Sequence, residues 1–503
     1  MRDDLTDKNS DTLNRTATAS FAMGSAQFVA KLIDLSLILI LARLLTPEDF
    51  ALIAIAMVFV QVTEAILEMP VGQVLVRANR VTRDMLYTAF SIALVRSAIV
   101  VVVILSLTPV VAIAFKDDRL YVLMPVLAMG PALRSLLNPK MVLFARRLNF
   151  FPDAVIAVSA RLCVAFIAIP VAFIIKSYWA LAIVSVLSPT FLLLFTYLYL
   201  PFVPKVSFQS WRMFVNMIGW TTVAQLFNAA NWQSSVLVLA QLSSRTTTGN
   251  YSVASNMAGT AYQIFISPVL RPFITSFSEL KRLGQLTDQY LLAMRSVFVL
   301  STPIFLGIAL LSDHVILLLF GAEWTQAHIF LSVLLISTII GLPGIVATSV
   351  AYALDRTVYF AAHAFVSFSV VIVATILGFH LYGLPGFLAG HIIAAIVSYC
   401  FALFMVKRLI GISFKNQTQV LIHPVLSLAI MGVCVHYLSG LVVDSSIFLY
   451  VPTLGAVSLC GATIYIASTY LLWFARGKPD GLENRVATFT IAFWKKRFGR
   501  PND

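Results

Sequence analysis

The chain has 503 residues, of which 60% are hydrophobic and only 11% charged, and its mean hydropathy is +0.91. A soluble domain carries roughly 25% charged residues, so this much apolar surface cannot be hidden in one water-soluble core; soluble enzymes, disordered chains and disulfide scaffolds are excluded. Lys and Arg number 35 against 22 Asp and Glu, a net charge of +13, which in such a chain is a question of membrane topology before it is one of nucleic acid.

The chain opens on a polar stretch, MRDDLTDKNSDTLNRTATAS, too mixed in charge for a secretory signal, so the first spanning helix is expected to direct insertion. Fourteen apolar segments follow: 20–42, 50–69, 86–114, 121–144, 153–175, 178–201, 213–241, 250–273, 287–312, 326–353, 358–380, 385–406, 418–440 and 446–474. These are continuous apolar runs and not the alternating ten-residue pattern of a barrel, which predicts an all-α polytopic membrane protein with up-and-down helices. Cys163, Cys400, Cys434 and Cys460 all lie in apolar runs without a Cys-x-x-Cys pattern and read as small buried hydrophobes.

The basic residues fix a predicted orientation. Of the 35, the termini and even-numbered connections hold 25, the odd-numbered connections hold 5 (Arg43, Lys116, Arg119, Lys176, Arg245), and 5 lie inside spans. Such a bias puts the even-numbered side and both termini in the cytoplasm. The basic tail contains VATFTIAFWKKRFGR, which reads as an interfacial helix with Trp494 at the headgroup level.

A weak internal repeat runs through the spans. LARL at 41–44 matches LAQL at 239–242, Pro70 matches Pro268, Arg96-Ser97 matches Arg295-Ser296, and Arg147 and Phe150 match Arg356 and Tyr359. The offset drifts slowly, from 198 to 209, as it would if connections changed length. A unit of six spans returns the chain to its starting side. The expected organisation is therefore an N-tail (1–19), two parallel six-helix lobes (20–205 and 206–410) around a central cavity, two extra C-terminal helices (411–475), and a basic tail (476–503).

Charges inside spans are expensive and each needs a reason. Lys31, Arg96, Arg134, Arg161 and Arg295 are the basic ones; Asp34, Glu64 and Glu68 are acidic. Lys31 and Asp34 are three residues apart, and Glu64 and Glu68 four apart, each pair on one helical face. One reading is a hydrated cavity lined by cations for an anionic group, since the guanidinium fork matches phosphate oxygens. The other is ion pairing and snorkelling. Arg96 and Arg295 are the strongest candidates, because they occupy repeat-equivalent positions.

Span 7 carries Thr221, Gln225, Asn228, Asn231, Trp232 and Ser235; span 8 carries Ser252, Asn256, Thr260, Gln263 and Ser267. Both sets form stripes at helical spacing, suited either to sugar hydroxyls or to helix–helix hydrogen bonding in lipid. GLPG occurs at 341–344 and 383–386 and predicts kinks or hinges. Trp324 reads as an outer-interface anchor. There is no Walker-type phosphate loop and no His-Glu-x-x-His, and the histidines at 363, 380, 391, 423 and 436 follow no ligand spacing. The short odd-numbered connections leave no room for an outer catalytic domain.

The segments ARLLTPEDFALIAIA, FARRLNF, GNYSVAS and LLLFGAEW, at 42–56, 144–150, 249–255 and 317–324, resemble the multidrug/oligosaccharidyl-lipid/polysaccharide exporter superfamily. Within it the chain is similar to the polysaccharide transporter branch, the Wzx-type flippases and exopolysaccharide exporters, with a flavour of the colanic-acid or succinoglycan type. The usual Gly before the second apolar run is Ala51 here. The resemblance implies a bacterial inner-membrane transporter without cofactor. It would move a polyprenyl-diphosphate-linked oligosaccharide from the cytoplasmic to the periplasmic leaflet, alongside a polysaccharide polymerase and chain-length or export proteins. Arg96, Arg295, Arg134, Arg161 and Lys31 would hold the diphosphate. Gln225, Asn228, Asn231, Asn256 and Gln263 would meet the sugar. Asp34 and Glu64 would couple an ion. Two rivals remain: a drug/cation antiporter of the same superfamily, which needs a net acidic cavity, and a membrane enzyme of envelope polysaccharide synthesis.

Overall fold

The structure, a computed structural model, describes residues 29–69, 71–78, 80–146, 149, 151–215, 220–270, 273, 277, 286–440 and 447–475. Every regular element among them is helical: α1 (29–44), α2 (Pro47–Ile66), α3 (Val71–Arg77), α4 (Arg83–Phe115), α5 (Leu120–Ser135), α6 (Val142–Arg146), α7 (Phe151–Ile175), α8 (Trp179–Tyr199) and α9 (Trp211–Val215). There follow α10 (Trp220–Leu242), α11 (Arg245–Phe265), α12 (267–270), α13 (Leu286–Leu310), α14 (Ser312–Phe320), α15 (Ala327–Ala353), α16 (Thr357–Ile410), α17 (Phe414–Ser439) and α18 (Ile447–Ala475). Among the described residues every apolar segment is mainly helical. Among the described residues nine helices are long and apolar enough to cross a bilayer, and one of these, α16, covers two of the segments. The tails, Pro70, Arg147, Phe150 and the basic residues Arg271, Lys281 and Arg282 lie outside the described residues, as does the side chain of Thr221.

The chain divides into two compact units, one of residues 1–253 with 319–324, the other of residues 254–318 with 325–503. In the first, α4 packs on α5, α5 and α7 on α8, and α2 on α5 and α10. Between apolar helices in lipid there is no water to expel, so close approach of small residues must supply the contact energy. Accordingly Ala51, Ala56, Ala128, Ala182 and Ala224 are all fully buried. In the second unit α13, α15, α16, α17 and α18 pack together, and the buried Gln417 amide donates to the carbonyls of Leu403 and Ile412.

Local chemistry explains several boundaries. The TPED run starts α2 with proline in its first turn, while Thr46 Oγ1 accepts from Asp49 N and Thr46 N donates to an Asp49 carboxylate oxygen. The segment predicted at 121–144 is instead interrupted: α5 ends at Ser135, and a 3-10 turn over Pro139–Met141 precedes α6. Pro139 disfavours a helical residue before it. Asn138 fills the gap, its amide donating to the carbonyls of Thr196 and Leu200.

The two GLPG sequences behave differently. The first lies within α15, where Pro343 is inside a continuous helix. The second is the turn that splits α16 into two limbs at Gly383, whose φ of 64° and ψ of −140° suit glycine alone. A Cβ on Gly378 would lie 2.1 Å from the Gly386 carbonyl oxygen, so the limbs touch backbone to backbone. Across this hairpin Ser398 Oγ bonds both Ser367 Oγ (2.8 Å) and His363 Nε2 (3.1 Å). Trp324 is not an interfacial anchor: it is fully buried. The four thiols are free, and Cys400 and Cys460 are exposed on apolar helices rather than buried.

Candidate functional site

The charges predicted for the site are layered along the helices. Counted at 1.5 Å per residue from the helix end nearest the odd-numbered connections, the cations range from about 20 Å for Lys31 to about 29 Å for Arg96, with Arg295 at about 22 Å, and Asp34 lies at about 15 Å. A hydrocarbon layer is about 30 Å thick. The cations therefore lie nearer the helix ends that carry the even-numbered connections than the opposite ends.

In the first unit most of these cations have acidic partners. Arg161 Nε donates to both Asp34 oxygens at 3.0 and 3.1 Å, and Lys31 Nζ lies 3.9 Å from the same carboxylate. Arg134 Nη1 lies 3.4 Å from Glu64 Oε1, with the Arg134 side chain 56% exposed. Both carboxylates proposed as ion couplers are thus held by arginine. Arg96 differs. Its Nη2 donates to the backbone oxygen of Glu64 at 3.2 Å, one of the carbonyls left over at the α2 C-terminus. Its buried Nε has no hydrogen-bond acceptor, and among the described residues no carboxylate is in ion-pair range.

Arg96 also lies in the wall of a cavity of about 440 Å³ within this unit. On α4 the lining residues Ile92, Val95, Arg96 and Ile99 share one helical face, so the guanidinium interrupts an apolar stripe. Phe208 and Trp211 also line it, and Glu68 and Thr222 are the other polar lining residues. Val95, Ile99 and Trp211 are all exposed, which makes this a groove and not a sealed void.

Reasoning from sequence missed one polar pair beside it. Gln233 Nε2 on α10 donates to Gln61 Oε1 on α2 at 2.6 Å. Gln61, Glu64 and Glu68 are spaced three and four apart, and that spacing was the available signal. Of the predicted sugar-binding residues, Gln225 is exposed and Asn228 and Asn231 half-buried on α10, and the Asn231 Oδ1 is buried without a hydrogen-bond donor. Asn256 and Gln263 are exposed on α11, in the second unit. Arg295 is half-buried on α13 of that unit.

The opposite end of the first unit is fully knitted. Buried Asp117 bridges Arg119 Nη2 at 2.8 Å and Arg245 Nη1 at 2.5 Å. Burial pushes its carboxyl up, but the Arg119 hydrogen bonds and the Arg245 and Arg119 charges outweigh this and hold it below the usual carboxylate value. Asp49 Oδ1 accepts from Tyr178 N (3.2 Å), Arg43 Nε donates to the Leu319 carbonyl (3.2 Å), and Trp324 Nε1 donates to the Ala42 carbonyl (2.8 Å). A Cβ on Gly249 would fall 1.8 Å from the Pro47 oxygen.

Residues 40–329 match the family described as "Polysaccharide biosynthesis protein". The chain is 25% identical to the succinoglycan biosynthesis transport protein ExoT of Rhizobium meliloti, over 65% of this chain and 67% of that one. It is 22% identical to the lipopolysaccharide biosynthesis protein WzxC of Escherichia coli, over 86% of this chain and 89% of that one. Among solved structures, the lipid II flippase MurJ in an inward closed conformation has the same fold, with a TM-score of 0.70 and 14% identity over 90% of this chain and 99% of that one. An inward-facing multidrug resistance MATE family transporter of the MOP superfamily aligns at a TM-score of 0.58, 14% identity, and 78% and 99% coverage. The chain belongs to the polysaccharide-biosynthesis protein family, and its long apolar helices make it a multi-pass membrane protein.

Proposed function

We propose that this protein moves a polyprenyl-diphosphate-linked oligosaccharide, a repeat unit of exopolysaccharide, O-antigen or capsule, from the cytoplasmic to the periplasmic leaflet of a bacterial inner membrane by alternating access, with both termini in the cytoplasm. The observation that carries this reading is Arg96: a guanidinium with no carboxylate partner among the described residues, beside an apolar groove. A cation-exporting relative would want the reverse charge there. The names of ExoT and WzxC support the substrate class, succinoglycan being one candidate.

In this reading Arg96 takes a phosphate directly, and Arg134 joins by exchanging Glu64 for substrate. Arg295 supplies the repeat-equivalent charge in the second unit. Arg161 and Lys31 hold Asp34, which with Glu64 is the candidate for ion coupling, because an arginine-bound carboxylate can be released by an incoming anion. Gln225, Asn228, Asn231, Asn256 and Gln263 remain the candidates for sugar contact, and a polymerase and export proteins the candidate partners.

The test is a deletion strain. Lipid-linked repeat units should accumulate, inaccessible from the periplasm, and polymer should disappear. Normal polymer output would refute the reading, and loss of drug resistance with polymer intact would favour the antiporter instead.

A further inference from the structure

Three chemistries follow one another along the last turns of α2 and the residues just after it. Residues 66–69 wall the apolar groove, Glu64 gathers Arg96 through its backbone and Arg134 through its carboxylate, and Gln61 carries the amide pair with Gln233. From Gln61 to the helix end at Ile66 the rise is about 8 Å, and residues 67–69 follow directly. An amphipathic molecule with a tail, a phosphate and a polar head could meet all three at once.

We propose that the groove holds the isoprenoid segment adjoining the diphosphate, with Arg96 on the phosphate nearer the lipid and the first sugar turned toward Gln61 and Gln233. The proposal rests on the flippase reading and adds where, and in which orientation, the carrier lipid is gripped. Charge complementarity argues for the occupant: among the described residues the groove's one cation makes no ion pair, and its Nε is buried without an acceptor. Glu68, the carboxylate in the wall, is exposed to solvent and forms no ion pair with Arg96 among the described residues. The volume, about 440 Å³, falls in the range of ligand pockets, enough for a few isoprene units and not for a whole carrier tail. Exposed Val95 and Ile99 leave a side open through which the remainder can stay in the bilayer. A phospholipid would satisfy the groove and Arg96 but has no extended polar head for the Gln61–Gln233 pair.

The experiment uses the full chain in phospholipid nanodiscs and geranylgeranyl diphosphate carrying a diazirine on the isoprene unit next to the phosphate. Cross-links should map to Ile92–Ile99 and to the segment around Phe208–Trp211, and unlabelled geranylgeranyl diphosphate should compete them away while excess phosphatidylglycerol does not. Arg96→Ala should cut labelling about tenfold, as expected for a lost charge-assisted contact. Val95→Trp, which fills the groove from an exposed position, should do the same, with Ile92→Trp as a second filling variant if the first inserts poorly. Equal competition by phosphatidylglycerol, cross-links elsewhere, or labelling indifferent to Arg96 would overturn the proposal. Those outcomes leave the flippase reading standing as long as the deletion strain loses polymer; normal polymer in that strain removes the reading itself.

Discussion

The two ends of the first unit handle charge in opposite ways. At the end with the odd-numbered connections, Asp117 serves two arginines, Asp49 takes a backbone amide, and Trp324 is sealed against Ala42. At the other end Arg134 is paired loosely and more than half exposed, and Arg96 rests on a backbone carbonyl alone. A saturated network has nothing left to offer a ligand, whereas an arginine with spare donors next to an apolar groove does. The difference separates a closure from a binding surface.

Four experiments sharpen or break this contrast. The largest effect should come from Trp324→Ala. Its ring is fully buried and meets Phe50 edge-on at 5.0 Å, and such truncations cost about 3–5 kcal/mol, so the unfolding midpoint in detergent should fall by several degrees. Asp117→Asn should follow, at about 2 kcal/mol, because two half-exposed guanidiniums lose their shared acceptor. Its pH dependence has a definite sign. A carboxyl held below its ordinary value of about 3.9 stabilises fully above that pH and stops doing so only as pH falls through the lowered value. Stability should therefore be unchanged by this group from pH 7 to 5, and the acid step should be missing in Asp117→Asn. A drop already at pH 6 that vanishes in this variant would show the network is not as drawn.

At the other end, thermal stability should barely move and transport should. Arg96→Ala is expected to lower export about tenfold, with Arg96→Lys retaining part of it, since lysine keeps the charge but not the fork. Unchanged export in Arg96→Ala would erase the distinction between the ends. The smallest effect belongs to Arg134 and Glu64. Their coupling in a double-mutant cycle of Arg134→Ala with Glu64→Gln should be below about 1 kcal/mol in stability, the range of exposed pairs.

What could be read in advance follows from how local each feature is. The long helices among the described residues were legible because each is a long apolar run, and the family because its motifs are contiguous. The break near Pro139 was hidden because it lies inside such a run; it is stabilised by Asn138 reaching across to Thr196 and Leu200. The charged residues of the first unit could be singled out, but their partners could not: Arg161 and Asp34 are 127 positions apart, and Arg134 and Glu64 70 apart. Arg96 was chosen for its place in a repeat, while the groove beside it draws on α4, the end of α2 and the segment 208–211, which no single window of sequence brings together.

The hairpin at Gly383 has a mechanical consequence. Its limbs meet backbone to backbone with no slack between them, and Ser398 ties one limb to the other further along. Spans joined by a long connection can slide independently; these two must tilt as a single plank. Lengthening the junction by even one residue would decouple them, and if the transport cycle requires that half of the second unit to rock as a rigid lever, such an insertion would stall the cycle without unfolding either helix.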